Sequence, residues 1–197
     1  MGGLQMFSGF TNKTAEKLLL DAGAYFKDFD VETDTFATAV TSGKLLGATR
    51  GGGQFSAIPE IRNIEIDGPK GKPKNLQVID GWEVKMTVNL VEISKETLAD
   101  ALAASDIDTT DVDYDVITAK PTIESIDYKD NITYVGKLSG SEEPVIIQIY
   151  NALNKNGLTL QPQHKNEAVL ALEYEAHFDA ETLEEVPFKI YYPKLGA

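Results

Sequence analysis

From Trp82 to Leu90 the chain alternates without a break. Trp82, Val84, Met86, Val88 and Leu90 fall on one parity, and Glu83, Lys85, Thr87 and Asn89 on the other. A period of two is that of a strand with one face in a core and one face in water. A nine-residue run of it commits the chain to a sheet packed on one side. The parity shifts at Val91 and Ile93, which predicts a bulge or the strand's exit. Ser94 then has the chemistry of a helix N-cap, with Glu96 in the positively polarised first turn. Ile93 and Leu98 have the spacing of a hydrophobic staple. Leu98, Ala101 and Leu102 form a narrow apolar stripe, so the spacing predicts a helix over 94–105 lying on a sheet.

Most of the remaining chain reads as short strands. Val112, Tyr114 and Val116 alternate with Asp111, Asp113 and Asp115. Strands are expected at 123–128, 132–138, 145–150, 169–178 and 188–192, separated by Asp130-Asn131, by Ser139-Gly140-Ser141 and by a turn over 151–157. Val145-Ile146-Ile147 is apolar on successive residues, which predicts burial on both faces. Such spacing is that of a sandwich or barrel. Nearer the start, Asn12 or Thr14 can cap a short helix through 15–20, and Phe36, Thr38 and Val40 predict a strand over 33–41. Residues 1–10 read as an arm. Residues 43–59, with Gly43, Gly47, Gly51, Gly52, Gly53 and Pro59, read as a long connection of the kind that is usually functional. The basic turn after it holds Lys70, Lys72 and Lys74. The chain therefore reads as one domain over 1–197, with an arm and first elements at 1–34, the glycine-rich connection at 43–59 and a β core from 60 onward.

Charge and composition exclude several functions. With 18 basic and 31 acidic residues the net charge is −13, which repels nucleic acid rather than gripping it. No cysteine is present, so disulfides and thiolate metal sites are excluded. The start, Met1 to Phe7, lacks a basic segment and a long apolar run, so no signal peptide is expected. No apolar run approaches the ~18 residues of a membrane span.

Catalytic motifs fail on inspection. Gly53 is followed by Gln54-Phe55 and then Pro59, not by Gly-Lys-Ser/Thr and a helix, so no phosphate loop forms. The run from Asp111 begins like a calcium loop, but Val116 stands where a glycine is needed and Thr122 where a glutamate is needed. His164 and His177 have no spacing partner for zinc. Glu173 and Glu175 share one face, as carboxylates do on any exposed strand. An enzyme is not expected, and no cofactor is implied.

Three blocks carry a resemblance. The first is Gly47-Ala48-Thr49-Arg50-Gly51-Gly52-Gly53 with the strand from Trp82 and the helix from Ser94. The second is Val145-Ile146-Ile147-Gln148-Ile149-Tyr150-Asn151-Ala152-Leu153. The third is Glu175-Ala176-His177-Phe178-Asp179 followed by Pro187-Phe188-Lys189-Ile190. In this order the chain resembles the major tail (tail tube) proteins of siphophage-type bacteriophages. The resemblance implies a mainly β fold, a β-sandwich or half-barrel flanked by one helix, with a long stacking loop and an N-terminal arm. It implies a structural virion protein: homohexameric rings whose inner sheets merge into one barrel and stack into a hollow tail tube. Its implied partners are further copies of itself, the tape-measure protein and tail-end proteins, with DNA passing through unbound and no membrane involved. The implied locations are the host cytoplasm before assembly and the virion tail after it. By the same resemblance Leu46, Gly47, Arg50, Gly51, Gly52, Gly53, Gln54 and Phe55 form the stacking loop. Asp111, Asp113, Asp115, Glu173 and Glu175 are then candidates for an acidic lumen face, with the outer surface as the other place for them. Contractile tails and type VI secretion tubes share the architecture, so both tail types stay open. The rival functions are a carbohydrate-binding β-sandwich and a virion accessory or decoration protein.

Overall fold

The apolar parity of the long alternating strand forms the centre of the fold. In the computed structural model, which describes residues 9, 11, 13–68 and 70–195, it lies in β3 (Gln77–Leu90). Val84, Met86, Val88 and Leu90 are all fully buried. Beside it runs β8 (Leu170–Glu175), antiparallel, with Leu90 opposite Leu170, Val88 opposite Leu172 and Met86 opposite Tyr174. Directly opposed apolar pairs on one face are the unit that stabilises a sheet. On the other edge of β3 lies β2 (Thr49–Asn63), also antiparallel.

The opposing wall comes from β1 (Leu19–Lys27), β6 (Lys129–Leu138), β7 (Val145–Asn154) and β9 (Phe188–Tyr191). The sheet order is β1-β6-β7-β8-β3-β2, with β9 paired to β7 off this path. β7 joins the two walls because its second edge changes partner. Ile146 to Ile149 pair with β9, whereas Leu153 and Asn154 pair with β8. Between the two sits Asn151, with φ of 47°, a left-handed conformation that asparagine tolerates better than most residues. His177 bridges the gap: its N–H donates to the Tyr150 carbonyl, and its carbonyl accepts from Asn151 Nδ2 at 3.2 Å. The result is a mainly β, curled half-barrel around one core that also holds Tyr25, Ile132, Tyr134 and Ile149.

Two helices cover what the sheet leaves open. α1 (Phe36–Thr41) lies over the outer face of β1, burying Ala39 beside Phe26 and Phe29. Gln148 is buried there too, and its Nε2 donates to the Phe29 carbonyl at 2.8 Å and to Thr133 Oγ1 at 2.9 Å. α2 (Lys95–Ala101) packs Leu98 and Ala101 against the main core. Buried Asn154 fastens it, donating from Nδ2 to the Ala101 carbonyl at 2.9 Å while its Oδ1 accepts from the Glu173 N–H. No helix among the described residues is long and apolar enough to cross a membrane.

Several expectations are corrected. The Ser94 cap forms, but the helix ends at Ala101 rather than at 105, because Ala103 turns left-handed at φ 64° and Ser105 enters β4 (Ser105–Asp108). The expected helix over 15–20 is a single 3-10 turn, Ala15–Lys17, followed by β1. Six residues nucleate a helix poorly, and pairing of Leu19 and Leu20 with Leu138 and Lys137 wins. The expected strand over 33–41 is α1, since Thr35 and Thr38 cap each other's backbone N–H groups at 3.2 and 2.8 Å. Phe36 and Val40, read as one strand face, are also four residues apart and so share a helix face.

The expected strand at 112–116 is mostly a turn, and only β5 (Val116–Ala119) pairs with β4. Asp111 Oδ1 accepts from the N–H groups of Asp113 and Tyr114, at 2.8 and 2.9 Å, which removes those groups from any ladder. Residues 123–128 hold a 3-10 turn, Ser125–Asp127, instead of a strand. The turn expected over 151–157 starts late, because β7 runs on to Asn154. Apart from Gly9, the expected arm at 1–10 lies outside the described residues.

The core and the turn predict opposite sensitivities. Leu172→Ala removes a fully buried side chain between two strands and is expected to lower stability by about 3 kcal/mol. Val112→Ser, at a side chain that is 98% exposed, is expected to change it by less than ~0.5 kcal/mol. Urea denaturation of both variants reads the difference as a shift in midpoint.

Candidate functional site

The segment expected to be a free loop over 43–59 is instead mostly strand. Leu46 is buried and donates its N–H to the Tyr25 carbonyl at 2.9 Å. Gly47 adopts φ of 131° against Glu92, whose carboxylate accepts the Ala48 N–H at 3.1 Å. β2 begins at Thr49. Arg50 is held within the chain by Asn166 Oδ1 at 3.0 Å and by an ion pair with Glu167. Gly51 and Gly52, at φ of 75° and 66°, form a bulge where the ladder slips between Thr49 and Gly53. Gln54 and Phe55 are ordinary ladder residues, and Phe55 packs on Phe188 with ring centroids 5.7 Å apart. The glycines give a tight bulge, not a mobile loop.

What projects is the far end of the β2–β3 hairpin. β8 covers β3 only from Lys85 to Leu90, so beyond Trp82 and Pro59 the hairpin continues as a two-stranded ribbon. Its base is fixed by Trp82 against Phe188, ring centroids 5.5 Å apart. Along it, Arg62 grips Asp80 through two hydrogen bonds of 2.6 and 3.0 Å. The Ile64 N–H closes the end on the Leu76 carbonyl at 2.8 Å. Ile61 and Ile79 lie opposite each other and are 54% and 51% exposed. Ile58, Ile64, Ile66 and Val78 are exposed as well. The tip carries Lys70, Lys72 and Lys74, none of them in an ion pair among the described residues. A two-stranded ribbon is marginal alone in water, and apolar side chains clustered on one mark a surface awaiting a partner. The sequence signal was available: isoleucines and valine spaced on both sides of a basic Pro/Gly turn.

The five candidate acidic residues do not share one face. Glu173 and Glu175 project from β8 beside Lys85 and Lys155, with Lys155 Nζ 2.9 Å from Glu175 and Lys85 paired to Glu83. The hydrogen bond that Lys85 donates to Glu83 comes first in holding its ammonium above the ordinary lysine value. That face is therefore mixed in charge. Asp111, Asp113 and Asp115 belong to the β4–β5 turn, and Asp115 is paired with Lys95 at 2.7 Å. Asp111 is held below the usual carboxylate range by the backbone N–H groups of Asp113 and Tyr114.

A cleft of about 570 Å³ opens where β1 and β2 come back toward each other. Leu19, Ala22, Tyr25, Phe55, Met86 and Tyr134 line it with the glycine bulge. Burial, and then the neighbouring Tyr134, push the Tyr25 hydroxyl up to about 12. These walls offer no convergent acid and base. Among the described residues, no three His, Asp or Glu side chains are grouped to hold a metal ion. No known protein family matches the chain, and no curated protein does.

Two neighbouring glycines separate the bulge from the ladder. At Gly53 a Cβ would overlap the Thr87 carbonyl oxygen and stand 2.6 Å from the Tyr25 hydroxyl, whereas at Gly51 it would meet open space. Gly53→Ala is expected to lower stability by about 2–3 kcal/mol, and Gly51→Ala by only the ~1 kcal/mol of a left-handed alanine. Thermal unfolding of the pair checks the order, and equal losses would remove the bulge from the account.

Proposed function

We propose that the chain is a tail tube subunit of siphophage type, a structural protein whose rings of six stack into a hollow tube through which DNA leaves the virion. The observation that carries this reading is the ribbon: a hairpin, anchored by Trp82 on Phe188, that presents paired isoleucines and a lysine-bearing tip to solvent. The sheet adds support, because β2 pairs with β3 on either side of its glycine bulge, and among the described residues its other edge meets no strand. A free edge of that length is an aggregation hazard unless another chain covers it. Ring closure between copies covers such an edge, and ribbon insertion covers the isoleucines.

In this reading the stacking element moves from residues 43–59 to the ribbon beyond Trp82. The net charge of −13 per copy keeps a DNA-conducting lumen from binding its cargo. The mixed face of Glu83, Lys85, Lys155, Glu173 and Glu175 carries a net charge of only −1, which suits a sliding surface as well as an acidic one would. The tape-measure and tail-end proteins are the partners that such a tube requires. Assembly follows synthesis in the host cytoplasm, and the product resides in the virion tail.

Negative-stain electron microscopy of concentrated protein tests the proposal. The informative variant replaces residues 62–78 by Asn-Gly, which joins the opposed Ile61 and Ile79 through a two-residue turn. The native chain is expected to give hollow filaments, and the shortened chain rings or short stacks. Folded native protein that forms neither at high concentration overturns the reading and moves glycan binding to the front.

A further inference from the structure

We infer that the basic ribbon tip of one copy seats on the β4–β5 turn of a second copy, an inference that rests on the tube reading and names its stacking contact. The tip combines Lys70, Lys72 and Lys74 with Glu65 and Asp67, a net charge of +1, and with Ile64 and Ile66, which are 41% and 56% exposed. None of the three lysines is neutralised among the described residues, in a chain that is otherwise strongly acidic. The β4–β5 turn has the complementary make-up. Val112 and Tyr114 are 98% and 75% exposed, and around them stand Asp108, Asp111 and Asp113, also outside every ion pair of the described residues.

Both surfaces are anchored at their bases. The tip is closed by the Ile64–Leu76 hydrogen bond, and the turn by the two N–H groups on Asp111 Oδ1. Of the other acidic loops, the one between β8 and β9 holds Glu181, Glu184 and Glu185 with one large exposed apolar side chain, Leu183, whereas those at 28–34 and 139–144 have none among the described residues. The β4–β5 turn thus matches the tip in apolar content as well as in charge. Tip and turn are different patches, so their contact is heterologous and leaves a free tip on one side and a free turn on the other. Repetition of such a contact builds a stack instead of closing a dimer.

Charge exchange tests this. Lys70→Glu/Lys72→Glu/Lys74→Glu and, separately, Asp108→Lys/Asp111→Lys/Asp113→Lys are each expected to raise the protein concentration needed for filament growth by on the order of tenfold. Combining all six substitutions is expected to restore growth, and Glu181→Lys/Glu184→Lys/Glu185→Lys to leave it near the native value. Circular dichroism and thermal unfolding confirm that each variant folds. A second readout does not depend on filaments: carbodiimide cross-linking of mixed ¹⁴N- and ¹⁵N-labelled native protein is expected to join a tip lysine to Asp108, Asp111 or Asp113 across copies. Folded triple variants that grow normally, a sixfold exchange that fails to rescue, or cross-links only to other acids would overturn the contact. Native protein that shows the cross-link but no tube would instead retire the tube reading alone.

Discussion

The divided edge of β7 decides the shape of the molecule. One side of this strand pairs with β6 throughout, while the other side serves β9 before Asn151 and β8 after it. A strand that belongs to two walls forces the sheet to curl, and the curl brings the apolar faces of β3 and β8 against those of β6 and β7. The polar groups at this junction are met locally, by His177 and Asn151 on the backbone and by Asn154 on α2. Two buried atoms are exceptions: the Tyr174 hydroxyl and Asp100 Oδ2 have no partner among the described residues. Burial first, and the Asp100 charge second, push the Tyr174 hydroxyl well above the usual tyrosine value. Asp100 is held through its other oxygen, which pairs with Lys129 Nζ at 2.8 Å, and Tyr174 by the core packed around its ring.

The same curl leaves β2 outermost. A strand of 15 residues beside one of 14 makes a hairpin about 45 Å long, of which β8 supports only the last six residues of β3. The unsupported half survives because its base is locked by Trp82 on Phe188 and its middle by Arg62 on Asp80. Those contacts fix the direction of the ribbon but do not hide Ile61 or Ile79. A ribbon fixed in direction that exposes Ile61 and Ile79 loses little conformational freedom when it meets a partner, which favours association.

Where one strand face is apolar and the other polar, the sequence was enough. Trp82–Leu90 and Leu170–Ala176 fold with the buried parity that their alternation predicts, and the Ser94 cap forms as its chemistry requires. Two of the failures share a cause. At Thr33–Thr41 and at Asp111–Val116 an alternating pattern coincided with side chains able to bond their own backbone. Thr35, Thr38 and Asp111 used that ability, and local capping replaced a ladder. The glycine run misled for a different reason. Three successive glycines are compatible with a mobile loop or with a bulge against a crowded neighbour, and only the approach of Tyr25 and Thr87 to Gly53 separates the two. The position of the ribbon was also beyond periodicity, because it depends on how far β8 extends along β3.

The electrostatics give the contact its character. Copies that each carry −13 repel at long range, yet at physiological ionic strength the field decays within about 8 Å. Approach is therefore opposed only weakly until surfaces nearly touch. At that distance local composition matters more than net charge, and in the proposed contact the tip lysines gain from meeting an acidic surface of another copy. Isoleucines flanking those lysines add a term that salt does not screen. In the proposed stack such a contact is weak when made singly in dilute solution and is strengthened where several form together.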